Sequence, residues 1–252
     1  MYLVGAGPGD PGLMTARALE LLADAEVVLH DRLIPPGLLE AAPDAELRDV
    51  GKRPGAPALP QEEINALLVE LAGAGKRVVR LKGGDPMIFG RAGEEIAACR
   101  AAGVAVEVVP GITAAQGAAS RLGVSLTHRK EARRLQYVTG HDRDGHLPSD
   151  IDWRALADPT ATTVVYMPKK TLRLLGERAI AQGLDRATPA VAVVNATRSD
   201  EMVIAGTIAH IADRIEGDVP DGPVLVMIGK VLAEVIAAQE RIPDRHQRRL
   251  PG

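Results

Sequence analysis

The chain has 252 residues, enough for one large domain or for two smaller domains that each bury a core. Its net charge of −3 argues against general nucleic-acid affinity, and its single cysteine excludes an internal disulfide. The sequence has no zinc-type Cys/His cluster and no apolar stretch near the ~20 residues of a membrane span, so we expect neither a metal nor a membrane segment. The start at Met1 lacks a signal-peptide pattern, which predicts a cytoplasmic protein.

Apolar, β-branched runs alternate with helix-period segments in the first half of the chain. The runs predict strands at residues 2–4, 26–29, 77–81 and 104–109, and the clearest helical pattern lies at 61–74. Strands without polar alternation that are separated by helices are typical of a parallel sheet covered on both faces.

The second half has a different pattern, with apolar runs at residues 135–139, 163–167, 190–194 and 224–229. The segment 201–205 predicts some antiparallel pairing. We therefore expect two α/β domains with a cofactor cleft between them, the first built on a mostly parallel sheet and the second on a mixed sheet. The predicted domains are residues 1–126 and 127–237, followed by a disordered basic tail at 238–252.

The loop that contains Gly83, Gly84 and Asp85 follows the third predicted strand. Open α/β sheets bind ligands at the carboxyl ends of their strands, and two glycines allow backbone atoms to touch a ligand closely. Taken alone, Gly-Gly-Asp-Pro is also an ordinary tight turn. A ligand-binding role for this loop is favoured because two further glycine loops, at residues 5–12 and 109–115, follow strands in the same way.

The first of these loops resembles a dinucleotide fingerprint but departs from it. Asp10 stands where the third glycine or alanine belongs, and Pro8 removes an amide that a phosphate would use. This favours a ligand without phosphates, although Asp10 and Thr15 could simply start a helix. A nicotinamide-dependent dehydrogenase remains an alternative, because Asp31 at the end of the second strand could bind a ribose hydroxyl.

Several cations lie on the presumed neighbouring loops. They favour a basic entrance to the predicted ligand site that binds a small polyanion, although Lys52 and Arg53 could also be a solvated surface pair. The proposed rim consists of Arg32, Lys52, Arg53, Lys82 and Arg91.

These motifs together resemble the uroporphyrinogen-III C-methyltransferases of the tetrapyrrole methyltransferase family. The match runs in order over nearly the whole chain to about residue 235. Its motifs are Gly5-Ala-Gly-Pro-Gly-Asp-Pro, His30-Asp-Arg-Leu, Gly51-Lys-Arg, Pro60-Gln-Glu-Glu-Ile-Asn, Arg80-Leu-Lys-Gly-Gly-Asp-Pro, Phe89-Gly-Arg, Val109-Pro-Gly-Ile-Thr-Ala-Ala and Leu126-Thr-His-Arg.

The resemblance implies the tetrapyrrole methylase fold and a homodimer that binds S-adenosylmethionine and releases S-adenosylhomocysteine. It implies methylation of uroporphyrinogen III at C2 and C7, by way of precorrin-1, to precorrin-2 for sirohaem or cobalamin. The sequence has no counterpart of the dehydrogenase/chelatase domain of fused sirohaem synthases, so only methyl transfer is implied. A non-catalytic or RNA-modifying relative on the same fold is the other alternative.

The resemblance also assigns roles to residues. Asp31 is the candidate base and Lys52 the candidate proton donor. Arg32, Arg53, Lys82 and Arg91 are our candidates to pair with the substrate carboxylates. The implied cofactor contacts are Pro8, Gly83, Gly84, Asp85, Ile88, Thr113, Ala114, Met167, Ala196 and Val224.

Overall fold

A computed structural model describes residues 1–51, 59–217 and 219–240. Lys52 and Arg53 lie outside the described residues, as does the part of the predicted tail from 241 to 252. The chain divides into two compact units, Met1–Ala114 and Ala115–Gly252.

The first unit is built on a parallel sheet with strand order β3-β2-β4-β1-β5. Every pairing in it is parallel, which confirms the predicted first sheet. Its strands are β1 (Tyr2–Gly5), β2 (Val27–His30), β3 (Glu46–Asp49), β4 (Val78–Lys82) and β5 (Glu107–Val109). Its helices are α1 (Ala16–Ala23), α2 (Pro36–Leu39), α3 (Gln61–Gly73) and α4 (Ala92–Ala101), and a 3-10 turn spans Pro11–Leu13.

Both faces of this sheet are buried, because alternate residues of a strand point to opposite sides. On β2 and β4, Val28 and Val79 pack in the cluster that includes Leu21 and Leu22 of α1. Their neighbours Val27 and Val78 pack in a second cluster with Ile64 and Leu68 of α3. The unbroken apolar runs of these strands are thus explained by two-sided burial.

The second unit is built on a mixed sheet with strand order β6-β7-β10-β8-β9. The pair β6·β7 is parallel and the other pairs are antiparallel, which confirms the mixed second sheet. Its strands are β6 (Arg134–Thr139), β7 (Ala161–Tyr166), β8 (Pro189–Val194), β9 (Met202–Thr207) and β10 (Val224–Ile228). Its helices are α5 (Ala114–Leu122), α6 (Trp153–Leu156), α7 (Leu172–Ala181), α8 (Ile211–Ile215) and α9 (Ala233–Glu240), with a 3-10 turn at Lys230–Leu232.

The division between the units differs from the predicted boundary after residue 126. It falls at the start of α5, so this helix belongs almost entirely to the second unit. One contact that ties it there joins Arg121 Nε to Glu201 Oε1 at 3.5 Å. Residues 238–240, which the prediction places in the tail, continue α9 to Glu240.

Candidate functional site

The three glycine loops of the first unit converge in direct backbone contact. Gly7 N donates to Gly84 O at 3.2 Å, and Gly84 N donates to Gly7 O at 2.7 Å. A Cβ on Gly111 would stand 2.2 Å from Gly84 O, and a Cβ on Gly5 would stand 2.6 Å from Gly111 N. These glycines are therefore needed so that backbone can approach backbone.

Asp85 braces two of the loops. Its Oδ1 accepts a hydrogen bond from Met87 N at 2.8 Å, and its Oδ2 accepts one from Gly111 N at 3.1 Å. Each carboxylate oxygen thus holds a backbone amide, which is the strong, charge-assisted kind of hydrogen bond. The sequence suggested the Asp85 carboxylate as an acceptor for a ligand, but in the structure it fixes the geometry of the loops.

The loop after β4 contains several residues in the left-handed region. Gly84 has φ 66°, Phe89 φ 51° and Arg91 φ 56°. Non-glycine residues in this region cost energy and concentrate at functional sites. Gly83 is exposed, and nothing lies within 4 Å of the position that its Cβ would take. The loop therefore presents bare backbone to open space beside a braced turn.

In the first loop, Asp10 and Thr15 both act as helix-start residues. Asp10 Oδ1 accepts a hydrogen bond from Gly12 N at 2.8 Å at the start of the 3-10 turn. Thr15 Oγ1 accepts one from Ala18 N at 3.2 Å and caps α1. These caps satisfy amides that would otherwise lack a partner.

Behind Asp31 lies a buried charge cluster, which we define as Asp31, Arg80, Glu95 and Lys82. An Arg80 terminal nitrogen contacts Asp31 Oδ1 at 2.6 Å, and Arg80 Nε contacts Glu95 Oε1 at 3.0 Å. Lys82 Nζ contacts the same Glu95 oxygen at 3.1 Å. The side chains of Arg80 and Glu95 are 2% and 0% exposed, whereas that of Asp31 is 36% exposed. Asp31 is therefore the solvent-facing end of an interior network.

The two cations of this cluster respond differently to burial. Burial opposes the charge of Arg80, but attraction to Asp31 and Glu95 outweighs it and raises the pKa of the guanidinium. Burial lowers the pKa of Lys82, repulsion by Arg80 adds to this, and Glu95 offsets it only in part. Lys82 differs from the expected rim cation, because its side chain is 6% exposed and turned onto Glu95. Its role is to neutralise that carboxylate, since a buried anion needs a charged partner.

Lys82 should make stability depend on pH on the alkaline side. Because its pKa lies below the ordinary 10.5, the folded state binds fewer protons than the unfolded state between the two values. The contribution of Lys82 to the free energy of unfolding should therefore rise with pH through this window. Below the lowered pKa, the full cost of burying the charge is present. Denaturant unfolding of the wild type and Lys82→Met can be compared from neutral pH to about pH 11. As the pH rises, the free energy of unfolding of the wild type should increase relative to that of the variant, and a constant difference would contradict this.

The remaining rim residues that the structure describes are exposed. Arg91 starts α4 and forms a two-pronged contact with Glu94, with both N–O distances at 2.7 Å. This contact raises the pKa of Arg91. Arg32 follows Asp31 and is also exposed. The backbone of Arg32 packs against Gly51, where an added Cβ would stand 2.5 Å from Arg32 N.

In the second unit, Met167, Ala196 and Val224 gather at one edge of the sheet. Because β10 is antiparallel to β7 and β8, its first residue lies beside their carboxyl ends. Met167 N donates to Val224 O at 3.2 Å, and Val224 pairs in register with Val194, two residues before Ala196. The fold therefore brings together three positions that the family resemblance implied.

The same edge is strained. Met167 has φ 57°, Asn195 φ 52° and Thr197 φ 66°. Glu201 supports the turn, because its Oε2 accepts a hydrogen bond from Thr197 N at 2.5 Å and its carboxylate also meets Arg121. Left-handed non-glycine residues on both sides of Ala196 indicate a backbone shape that the surrounding structure imposes.

Sequence reasoning missed the roles of Arg80, Gln61 and Glu95, although two of them lie in quoted motifs. Gln61 Nε2 donates to Glu95 Oε1 at 3.3 Å and to Asn65 Oδ1 at 3.0 Å. The sequence of α4 has no clear apolar stripe, and the buried face that Glu95 shares with Ile96 and Cys99 is apparent only from the structure. Once that face is known to be buried, its carboxylate indicates a buried cation opposite it.

In the described residues, no group of His, Cys, Asp and Glu side chains could hold a metal ion. None of the described helices is long and apolar enough to cross a membrane.

Comparison with curated proteins finds siroheme synthases among the most similar. The one from Azotobacter vinelandii is 49% identical over 233 residues, which cover 92% of this chain and 50% of that protein. The chain thus spans about half the length of the curated relatives it matches.

Solved structures share the fold. Uroporphyrin-III C-methyl transferase from Thermus thermophilus, complexed with S-adenosyl homocysteine, is 40% identical with a TM-score of 0.77, and the match covers 92% of this chain and 97% of that one. A cobalt precorrin-4 methyltransferase is 27% identical with a TM-score of 0.80, covering 92% and 95%. The family model "Tetrapyrrole (Corrin/Porphyrin) Methylases" matches residues 1–212. The chain therefore belongs to the tetrapyrrole methylase family and has its fold.

Proposed function

We propose that this chain is an S-adenosylmethionine-dependent C-methyltransferase that methylates uroporphyrinogen III at C2 and C7, by way of precorrin-1, to precorrin-2. The observation that carries the proposal is the convergence of three glycine loops beside Asp31 at one sheet edge. The Thermus thermophilus enzyme, which is 40% identical and holds S-adenosyl homocysteine, supports both the reaction and the cofactor. The siroheme synthases support a product that leads towards sirohaem.

The first unit offers a fitting cradle for S-adenosylmethionine. Gly83 leaves open space where a side chain would stand, and Gly84 turns the backbone in the left-handed region. Bound there, the cofactor supplies a methyl group already activated by a sulfonium. The proposed contacts in this unit are Pro8, Gly83, Gly84, Asp85, Ile88, Thr113 and Ala114, and those in the second unit are Met167, Ala196 and Val224.

The chain's own residues position the substrate and move its protons. A reduced pyrrole carbon is already nucleophilic, so alignment with the methyl group can supply several of the ~7–11 kcal/mol available from orientation. Asp31 takes the proton that methylation releases, and Lys52 is the proton donor to the substrate. Arg32, Arg53 and Arg91 pair with substrate carboxylates, for which guanidinium groups are suited. Lys82, turned inward onto Glu95, is no longer part of this set.

By resemblance, we also propose that the enzyme acts as a homodimer.

The proposal is tested by anaerobic incubation with uroporphyrinogen III and S-adenosylmethionine labelled in the methyl group. We expect mass analysis to find products with one and then two added methyl groups. RNA and NADH serve as competing ligands, in a labelling assay and a fluorescence titration. Methyl transfer to RNA alone, or NADH binding without methyl transfer, would contradict the proposal.

Gly83→Ala tests the cradle in a folded protein. The added methyl meets no protein atom within 4 Å, so stability should be unchanged, but the methyl would occupy the space proposed for the cofactor. Overpacking of about 1–3 kcal/mol corresponds to a loss of affinity for S-adenosylhomocysteine of roughly 5- to 150-fold. Calorimetry measures this, with Gly73→Ala at the exposed end of α3 as the matched control. Equal affinity in the two variants would place the cofactor elsewhere.

A further inference from the structure

We propose that Glu95 is a positioning residue, which fixes the carboxylate of Asp31 through the guanidinium of Arg80. This inference rests on the proposed role of Asp31 as the base. Glu95 itself lies on α4, is fully buried and would not touch the substrate.

The geometry of Arg80 carries the coupling. Its Nε donates to Glu95 Oε1 at 3.0 Å, and a terminal nitrogen donates to Asp31 Oδ1 at 2.6 Å. The guanidinium is a planar, rigid fork, so holding the Nε side also sets the direction of the terminal nitrogens. The other contacts of Arg80, to the carbonyl oxygens of Leu29 and Leu81, are longer at 3.5 and 3.4 Å. Apart from Asp31, Glu95 is therefore the closest anchor of the guanidinium.

Glu95 is itself fixed in place by several hydrogen bonds. Its Oε1 receives Arg80 Nε, Lys82 Nζ at 3.1 Å and Gln61 Nε2 at 3.3 Å. Its Oε2 is buried and has no hydrogen-bond partner among the described residues. Three donors from β4 and α3 converge on one oxygen and leave the other unsatisfied. This arrangement fixes the position of Oε1 at the expense of complete hydrogen bonding.

A stability role alone explains this cluster poorly. Replacing a buried ion cluster by apolar residues of similar volume is often neutral or stabilising, so charge pairs are weak evidence for stability. The cluster ends at Asp31, which is its only member with substantial exposure. A rigid interior network that leads to one exposed carboxylate is the expected support for a group that must hold its geometry.

Four variants separate positioning from charge balance. Glu95→Met removes the anchor but leaves two buried cations, so it could fail to fold. Glu95→Met/Lys82→Met removes one cation with the anion, which restores the charge balance without restoring the anchor. Glu95→Gln leaves the same two cations as Glu95→Met but keeps an oxygen that can accept from Arg80 Nε, so these two variants are compared at equal charge. Lys82→Met alone measures the share of any loss that belongs to the lysine.

We expect the double variant to fold and to turn over roughly 10- to 100-fold more slowly than Lys82→Met, the size of loss that a small misplacement of a reacting group causes. The KM for the tetrapyrrole and the affinity for S-adenosylhomocysteine should stay within about twofold, since the lost interaction acts in the transition state. Glu95→Gln should recover part of the turnover that is lost in Glu95→Met. Glu70→Gln, an exposed carboxylate on α3, is the matched control.

A readout independent of turnover is the proton signal of Arg80 Nε in a ¹⁵N-resolved NMR spectrum, assigned with Arg80→Lys. We expect slow solvent exchange in the wild type, partial retention in Glu95→Gln and loss in the double variant. If the double variant turns over like Lys82→Met, or keeps the protected signal, the positioning role is wrong while the proposed function stands. If the wild type methylates no tetrapyrrole but the signal depends on Glu95, the proposed function fails while the link from Glu95 to Arg80 stands.

Discussion

Gly111→Ala should abolish binding of S-adenosylhomocysteine and lower the free energy of unfolding by about 3 kcal/mol. The new methyl would stand 2.2 Å from Gly84 O and 2.9 Å from Gly5 Cα. Both are backbone atoms and cannot turn aside like the end of a flexible side chain. The loops after β1, β4 and β5 would have to separate, and the hydrogen bond from Gly111 N to Asp85 would weaken with them. Denaturant unfolding and calorimetry measure the two effects.

Gly93→Ala is the matched control for this change. Gly93 is an exposed residue within α4, and nothing lies within 4 Å of the position of an added Cβ. The same substitution should therefore raise stability by roughly 0.5–1 kcal/mol, because alanine loses less entropy in a helix. Normal stability and normal affinity in Gly111→Ala would mean that the loops are not packed as described.

Asp31→Asn should suppress methyl transfer while leaving S-adenosylhomocysteine binding nearly intact. The change conserves shape but removes the carboxylate that would accept a proton, and loss of a general base costs roughly 10²- to 10⁴-fold in rate. The amide oxygen can still accept a hydrogen bond from Arg80, which now holds Asp31 at 2.6 Å. Single-turnover assays with labelled cofactor measure the rate, and calorimetry measures binding.

Asp44→Asn, at an exposed turn of the same unit, controls for a general effect of lost charge. Equal losses of binding and turnover in Asp31→Asn would contradict a catalytic role and would indicate a structural one.

The sheets were predictable because their strands carry a strong pattern. The apolar runs that became β1, β2 and β4 are buried on both faces, and burial leaves a continuous signal. The strand β3 was missed, because Glu46–Asp49 lies at the edge of the sheet and reads Glu-Leu-Arg-Asp. Edge strands commonly carry charged side chains and so lack that signal.

The convergence of the glycine loops was predictable from topology, since parallel strands end at one edge of a sheet. The second-unit site needed more information. Val224 meets Met167 because β10 runs antiparallel to β7, and neither the strand order nor the register could be read from the sequence.

The charge cluster shows where sequence patterns stop being informative. Two cations at alternate positions of a fully buried strand, Arg80 and Lys82, require anions nearby. Periodicity does not say which helix provides them. Glu95 became visible as the partner only when α4 was placed against β4.

Thr197 has a consequence for attempts to make this chain more heat-resistant. The left-handed conformation is among the least favourable backbone conformations for a β-branched residue such as Thr197, and glycine would adopt it without penalty. The usual stabilising choice at such a position would therefore remove the side chain from the turn that carries Ala196. Thermal stability and the present shape of this turn compete, and selection for melting temperature alone would favour glycine beside Ala196, a proposed cofactor contact.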